Sequence, residues 1–562
     1  MPNEIELLDL LLKNRGIKEE DKEKFLNPSY EEGLYDPYLM LDMEKAVVRI
    51  FEATEAKEKI VIYSDYDCDG IPASVIMHDF FTKIGYTNFT IYIPDRHDEG
   101  YGLHMDAIKK FIDEEVKLLI TFDLGITAID EVAEATAGGI DVIITDHHLP
   151  RQQLKQLDGQ VSQDLPHAYA ILNPKQDGCK YPDKMLCGAG IAFKLIQALI
   201  IKYGEYWKIN KGWEKWLLDM AGVATLADQV PLLDENRVLA TYGLKVLQKG
   251  KRLGLVEIFK KAGVDIIKLS EEDVTFTLAP RINAASRMAD PMMAFEMLSA
   301  TDAVLAKASA DNLAKINDER KVMVAHMMKE VKKVLSKRED RKVIVIGNPT
   351  WRVGVLGIIA SKIVEEYKRP VFVWGTDGSD ELKGSCRSWG NINLVDIMQA
   401  LPEKALSGFG GHAGAGGFSV SHEEIHFLEE RILKVYGEDR EIEEVQEEGV
   451  EAVISIDDIT LANYSVIDKL APYGEGNPKP KFLFKELPIY ALKEFGKDKN
   501  HLELSFVNSK GKIIKAIAFF KTRESYNNVL NVGERINMIA TFEKSTFAGR
   551  TELRLRIVDI LC

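Results

Sequence analysis

Five short β-rich runs between residues 59 and 173 constrain this chain most: KIVIY (59–63), FTIYI (89–93), KLLITF (117–122), DVIIT (141–145) and AYAIL (168–172). Stretches with apolar residues at helical spacing separate them, among them Asp106 to Glu115 and Ile129 to Ala137, the second ended by Gly138-Gly139. Strands alternating with helices are joined by crossovers, and crossovers build a parallel sheet covered on both faces. The expected fold is therefore a Rossmann-like α/β half, in which ligands bind beyond the carboxyl ends of the strands.

Those ends carry acid. The first run is followed by Asp65, Asp67 and Asp69 in SDYDCDG, the second by Asp95 and Arg96, the third by Asp123, and the fourth by Asp146, His147 and His148. Gathered at one edge, such carboxylates repel and raise each other's pKa unless cations neutralise them. Oxygen ligands with one or two imidazoles and no thiolate suit Mn²⁺ or Mg²⁺ better than a structural zinc. Two such ions can deprotonate a water and neutralise a phosphodiester together with its leaving oxygen, so the pattern points to hydrolysis without a covalent intermediate. One of these aspartates alone reads as a cap or turn residue; the set carries the argument. Cys68 is set aside as a ligand because side chains alternate along an extended loop. A calcium loop fails as well: the residues after Asp69 turn into an amphipathic helix with Pro72 near its start, and the glutamate at loop position twelve is missing. The sequence has no Walker A motif and no GxSxG, which excludes a P-loop and a nucleophile elbow.

At 562 residues the chain is long enough for three or four domains. The pattern predicts an N-terminal helical segment (1–50), an α/β catalytic domain (51–302), a connecting helix (303–338), a smaller α/β domain (339–437), an acidic linker (438–451) and a β-barrel of OB type (452–562). The barrel rests on HLELSFV, IIKAIAFF, RINMIATF and ELRLRIV. A net charge of −16 speaks against a polyanion as ligand, but much acid sits in runs such as Glu438 to Glu451, and local patches decide binding. The cysteines (Cys68, Cys179, Cys187, Cys386, Cys562) never form CxxC and read as free thiols. With no basic stretch before an apolar core at the start and no long apolar run, no membrane segment is expected and the chain reads as cytoplasmic.

DYDCDG (65–70), Asp123, Asp146-His147-His148 and LADQVPLLDENR (226–237) resemble the DHH phosphoesterase superfamily. EGYGL (99–103), LCGAGIAFKL (186–195), PRINAASRM (280–288), WRVGVLGIIASKI (351–363), GSCRS (384–388), GFGGHAGAGGFSV (408–420) and LAPYGEGNPKPKF (470–482) are similar to its RecJ family of single-stranded-DNA-specific exonucleases. The resemblance spans residues 60 to 482. It implies a DHH catalytic domain, a DHH-associated substrate domain and an OB-fold.

It also implies metal ligation by Asp65, Asp67, Asp69, Asp123, His147 and Asp228, with His148 in or beside the site and Asp146 orienting the imidazoles. Asp67, Asp69, Asp123, His147 and His148 would carry catalysis. Tyr63 stands where family members can carry His, so no metal role passes to it, and Ala285-Ser286-Arg287 departs from the family's AGR. Small residues around Gly411 let backbone N–H groups approach a phosphate that His412 would contact. Ser385 and Arg387 are similar to the family's phosphate-contacting residues; Arg96, Arg281 and Arg287 would grip the strand.

The implied activity is 5′→3′ hydrolysis of single-stranded DNA to 5′-mononucleotides by two Mn²⁺ or Mg²⁺ ions, in DNA repair and recombination. Implied partners are a single-strand-binding protein or a helicase, and a monomer suffices. Phe482, Phe484, Phe506, Phe519, Phe520 and Phe542 are candidate stacking platforms, although most read as barrel core. The alternatives are a related phosphodiesterase acting on short oligoribonucleotides or cyclic dinucleotides, and an inactive replication scaffold, which the retained acidic and histidine positions disfavour.

Overall fold

Strands β1 (Ile60–Ser64), β2 (Phe89–Tyr92), β3 (Leu118–Phe122), β4 (Asp141–Thr145) and β7 (Ala170–Leu172) pair in parallel in the order β2-β1-β3-β4-β7. The structure, a computed structural model, describes residues 4–96, 99–154, 161–437, 449–496, 499–526, 529–545 and 552–561. Residues 438–448 of the expected acidic linker lie outside them. IVIYS and LLITF are buried along their whole length, the near-continuous apolar run of a strand covered on both faces. Helices Gly70–Ile84, Met105–Asp113 and Ile129–Ala137 make the first three crossovers. Between β4 and β7 runs a hairpin, β5 (Arg151–Leu154) with β6 (Val161–Asp164), which the polar RQQL and VSQD do not announce.

The helix Ala303–Leu335 starts at Asp302, whose carboxylate accepts the N–H groups of Val304 and Leu305, both at 2.9 Å. It leads into β8 (Ile344–Gly347), β9 (Val371–Gly375), β10 (Leu382–Arg387), β11 (Gly408–His412) and β12 (Ala415–Val420), ordered β11-β12-β10-β9-β8.

The chain divides into two compact units. One comprises Asp36–Asp228 and Tyr242–Gln446 and holds the sheets above. The other gathers Met1–Tyr35, Gln229–Thr241 and Glu447–Cys562. The stretch read as one N-terminal segment is thus split. Leu7, Leu11 and Leu12, on one face of the helix Glu4–Asn14, are buried in the same core as Phe482 and Phe484, whereas the helix Met43–Glu55 belongs to the larger unit. Seven strands build the smaller unit's sheet: β13 (Val450–Val453), β14 (Lys481–Pro488), β15 (Ala491–Phe495), β16 (His501–Val507), β17 (Ile513–Ala518), β18 (Arg535–Ser545) and β19 (Glu552–Leu561). Their order is β13-β14-β18-β19-β17-β16-β15. Phe482, Phe484, Phe506 and Phe542 point into its core; of the expected platforms, Phe519 and Phe520 remain at the surface.

Arg237 ties the three segments of this unit together. Its buried guanidinium donates to the carbonyls of Phe25 (2.6 Å), Leu470 (3.0 Å), Ala471 (2.9 Å) and Pro472 (3.3 Å), and lies 3.9 Å from the centre of the Phe25 ring. Asn477 repeats the pattern: its amide donates to the carbonyls of Leu470 and Pro472 and accepts from Arg15 Nε.

Candidate metal centre

The chain leaving β1 turns at once into a helix, and this turn places three carboxylates. Asp67 Oδ1 accepts from the N–H groups of Asp69 (2.8 Å) and Gly70 (3.1 Å), satisfying donors that the start of a helix leaves open. A Cβ on Gly70 would lie 2.5 Å from the Asp65 carbonyl oxygen, so only glycine lets the helix begin beneath the strand end. Asp69 reaches the first turn of the helix Gly188–Tyr203, accepting from Gly188 N at 2.6 Å and Ala189 N at 2.7 Å, where the helix dipole favours an anion. A side chain on Gly188 would strike Asp123, its Cβ 2.7 Å from that of the aspartate, which accounts for this glycine of LCGAG. Asp123 itself follows β3 with φ +62°, a left-handed position that aspartate tolerates.

His147, after β4, faces two of these, Asp69 and Asp123, and also Asp228. Its Nε2 is 3.1 Å from Asp123 Oδ1, 3.7 Å from Asp69 Oδ2 and 3.8 Å from Asp228 Oδ2, the last at the end of the helix Leu218–Ala227. Three overlapping groups result, each with ligand atoms within 4.8 Å of one another: Asp65, Asp67 and Asp123; Asp69, His147 and Asp228; Asp123, His147 and His148. Asp65 Oδ1 and Asp123 Oδ1 are buried without a hydrogen-bond donor, a costly state for a carboxylate oxygen unless a cation supplies the missing charge. The donor set and these oxygens fit a divalent metal of the Mg²⁺ or Mn²⁺ kind.

The electrostatics agree. Burial, with the neighbouring charge of Asp67, raises Asp65 well above the usual carboxylate range; burial and Asp69 do the same to Asp123. Asp69 is pushed up to about 6 by burial and Asp67, and Asp228 to about 8 by burial and Asp69. Burial and the adjacent His148 push His147 down to about 3, which keeps its imidazole neutral with a lone pair to offer.

His148 is different. Burial opposes its charge, but the Asp146 hydrogen bond together with the charges of Asp146, Asp228 and Asp69 outweighs burial and raises it to about 9. Asp146 Oδ1 lies 2.8 Å from His148 Nδ1 and accepts from His148 N, while Oδ2 accepts from Ile126 N at 2.9 Å. With its oxygens engaged in this way, Asp146 orients the imidazole. Asp146→Asn is therefore expected to weaken Mn²⁺ binding roughly 10- to 100-fold, as losses of such orienting partners do, in a calorimetric metal titration. Unchanged affinity would refute the orienting role. Tyr63, buried and donating to the Gly102 carbonyl at 3.0 Å, packs against Tyr92 and takes no part in the cluster.

A set of arginines lies within electrostatic reach of one another. Burial, followed by Arg96, Arg320 and Arg387, lowers Arg287 to about 9, and its Nη1 donates to the Gly354 carbonyl at 3.1 Å. Arg96 lies 4.9 Å over the Tyr66 ring, beside the first carboxylates. Ser385 and Arg387 on β10 converge on Gly357 in the first turn of the helix Leu356–Tyr367: a Cβ there would come within 3.0 Å of Arg387 Nη2 and 3.8 Å of Ser385 Oγ. Arg281 is held by the Thr277 carbonyl, its Nε buried without a partner like that of Arg320. Gly411 and His412 sit on the exposed β11–β12 hairpin; among the described residues no hydrogen bond or ion pair joins them to the acidic cluster. A Cβ on Gly408, Gly410 or Gly414 would meet nothing, so the hairpin itself does not demand glycine there.

Reading the sequence did not single out Tyr101, whose hydroxyl is 3.3 Å from both the Asp123 carbonyl and His148 Nδ1, nor Arg320 and Gly357. Tyr101 and Gly357 lie inside stretches noted only as wholes, and Arg320 looks like one more charge on a polar helix.

Comparison with known proteins places these features. Residues 59–225 match the profile of the DHH family N-terminal domain, residues 327–438 that of the DHHA1 domain, and residues 450–559 that of the RecJ OB domain. The chain is 34% identical to a single-stranded-DNA-specific exonuclease RecJ of Bacillus subtilis, over 98% of this chain and 67% of that protein. It is 31% identical to the protein of that name from Haemophilus influenzae, over 99% and 96%. The crystal structure of RecJ in complex with Mn²⁺ from Thermus thermophilus superposes with a TM-score of 0.81 at 26% identity, covering 99% of this chain and 76% of that one.

Proposed function

Because the chain belongs to the RecJ family, we propose that it hydrolyses single-stranded DNA from the 5′ end, releasing 5′-mononucleotides. The observation that carries this reading is the buried acid–imidazole cluster with the donorless oxygens of Asp65 and Asp123. Asp65, Asp67 and Asp123 would hold one divalent ion and Asp69, His147 and Asp228 a second, with Asp123 and His147 each belonging to two of the groups. Two Mn²⁺ or Mg²⁺ ions would supply acidity to an attacking water and neutralise charge on the phosphoryl group and its leaving oxygen. The chain's own residues do the rest. Asp146 keeps His148 in one orientation beside Asp123. Arg387 and Ser385, facing the first turn of the helix Leu356–Tyr367, together with Arg96, would hold a terminal 5′-phosphate, since helix N–H groups and guanidinium both favour it. A fixed terminal phosphate sets both the polarity of attack and the size of the product. Arg281, Arg287 and Arg320 would neutralise the following phosphates, and the bare glycines of the β11–β12 hairpin with His412 leave room for a backbone to approach.

The same family reading carries roles in DNA repair and recombination, a single-strand-binding protein or helicase as partner, a monomeric state and a cytoplasmic location. Among the described residues no helix is long and apolar enough to cross a membrane.

The test is Mn²⁺-dependent digestion of single-stranded DNA labelled separately at each end, with duplex DNA and short RNA alongside. Immediate release of 5′-labelled mononucleotide is expected. Selective cleavage of short RNA would move the chain to the related phosphodiesterases. Arg387→Ala is expected to raise KM for 5′-phosphorylated DNA roughly tenfold, about the 1.4 kcal/mol of one charge-assisted contact, and to erase the preference over a 5′-hydroxyl end. A preference that survives would remove Arg387 from the phosphate site.

A further inference from the structure

The imidazoles of His147 and His148 are only as well placed as the irregular backbone that carries them, and a single segment grips that backbone at both residues. The segment begins where β7 ends. The Asp146 N–H donates to the Leu172 carbonyl at 3.1 Å. Next comes Asn173, fully buried, whose Nδ2 donates to the His148 carbonyl at 2.9 Å. Two residues on, Lys175 Nζ donates to the His147 carbonyl at 2.5 Å. Pro174 between them has a fixed φ and disfavours helical backbone at Asn173. Asn173 Oδ1 also accepts from Lys175 N at 2.8 Å, so the two donors are set relative to each other.

The β5–β6 hairpin braces the same segment from outside. Gln163, on β6, donates from Nε2 to the Lys175 carbonyl at 2.9 Å and accepts from the Asp177 N–H at 2.8 Å. Gln176 closes the segment on itself, donating from Nε2 to the carbonyls of Ile171 (2.7 Å) and Asn173 (3.2 Å).

On charge alone, a lysine is the wrong residue here. Its ammonium is within electrostatic reach of Asp146 and of Asp228, and Asp228 belongs to one of the ligand groups. It therefore adds positive charge beside a place where cations are to bind. What it offers in return is a charge-assisted hydrogen bond, one of the strong kinds, to the backbone of the residue whose Nε2 faces Asp123, Asp69 and Asp228.

We propose that Asn173 and Lys175 are positioning residues of the metal centre, holding the carbonyls of His148 and His147 so that both imidazoles stay aimed at the carboxylates, with the β5–β6 hairpin as their brace. The proposal rests on the metal-centre reading above and names what keeps its imidazoles in place. Groups behind a ligand that fix its orientation govern metal affinity without touching the metal.

The experiment titrates Mn²⁺ into the full chain by calorimetry, with the thermal midpoint of the metal-free protein measured beside it. The sign of the change decides. Lys175→Met keeps the apolar stem and removes a positive charge, which by electrostatics alone would tighten Mn²⁺ binding; loss of positioning is expected to weaken it instead, roughly 10- to 100-fold. Lys175→Arg, which still donates to a carbonyl, is expected to stay near the parent. Hydrolysis by Lys175→Met should recover as Mn²⁺ is raised, with KM for DNA unchanged. Asn173→Ala is expected to weaken Mn²⁺ binding in the same direction and, because Asn173 is buried, to lower the metal-free midpoint as well. Unchanged or tighter Mn²⁺ binding by Lys175→Met would overturn the proposal, whether or not its midpoint falls, and so would an equal loss in Lys175→Arg. A parent that binds no Mn²⁺ would overturn the metal-centre reading itself, and this proposal with it, before any variant is compared.

Discussion

Asp123→Asn is expected to lower Mn²⁺-dependent hydrolysis of single-stranded DNA roughly 10³-fold, the scale of losing one preorganised charge from a dry site. Asp123 belongs to two of the three ligand groups, its Oδ1 lies 3.1 Å from His147 Nε2, and that oxygen has no hydrogen-bond donor to compensate it. An amide of the same volume keeps the packing and removes a charge that would face a bound divalent ion. The substitution also separates a ligand from a structural residue. Burial and the charges of Asp69, Asp67, Asp65 and Asp228 all disfavour an ionised Asp123 in the metal-free protein. Neutralising it should leave the metal-free thermal midpoint unchanged or raised. The rise in midpoint that Mn²⁺ brings by binding the folded state should largely vanish. A variant that stayed active, or that was stabilised by Mn²⁺ as the parent is, would remove Asp123 from the centre.

Arg237→Ala is expected to cost about 3–5 kcal/mol of stability, among the largest effects of any single substitution here. The guanidinium is 1% exposed and serves the carbonyls of Phe25, Leu470, Ala471 and Pro472. Alanine would leave these acceptors short of a donor and open a cavity against Phe25. Lysine should not rescue it, since one ammonium cannot reproduce a planar fork that spans several acceptors. Denaturant unfolding of the full chain followed by circular dichroism measures the loss; a change below about 1 kcal/mol would show that water replaces the guanidinium without penalty.

The parallel sheet was legible because IVIYS, LLITF and DVIIT are mostly apolar and are followed by charged residues that have no use in a core. Asp65, Asp67, Asp69, Asp123 and His147 lie together because each directly follows a strand of that sheet or the turn after it, so position in sequence fixes position at the edge. Asp228 arrives from a helix that is buried on all sides, and nothing in its local pattern distinguishes it from a helix end; only the resemblance pointed to it. Arg237 and Asn477 escaped a physical reading for a related reason. Both act through backbone carbonyls of segments more than 200 residues away or of an irregular loop, and a carbonyl leaves no mark in the sequence. IIKAIAFF reads as one strand to its end, but the strand stops at Ala518, and the final Phe520 turns outward through a left-handed backbone that its residue type does not suggest.

The smaller unit draws on Met1–Tyr35, Gln229–Thr241 and Glu447–Cys562, and this fixes an order of events during synthesis. Leu7, Leu11 and Leu12 are made early, yet the residues that bury them, Phe482 and Phe484 among others, leave the ribosome long afterwards. At about 5–20 residues per second that delay is on the order of half a minute or more, during which the larger unit can fold and an apolar helix face stays without its partner. A recombinant catalytic fragment obtained by a single cut within residues 438–448 would inherit the same orphaned face for good. A separable piece has to omit residues 4–35 as well and replace 229–241 with a short connector.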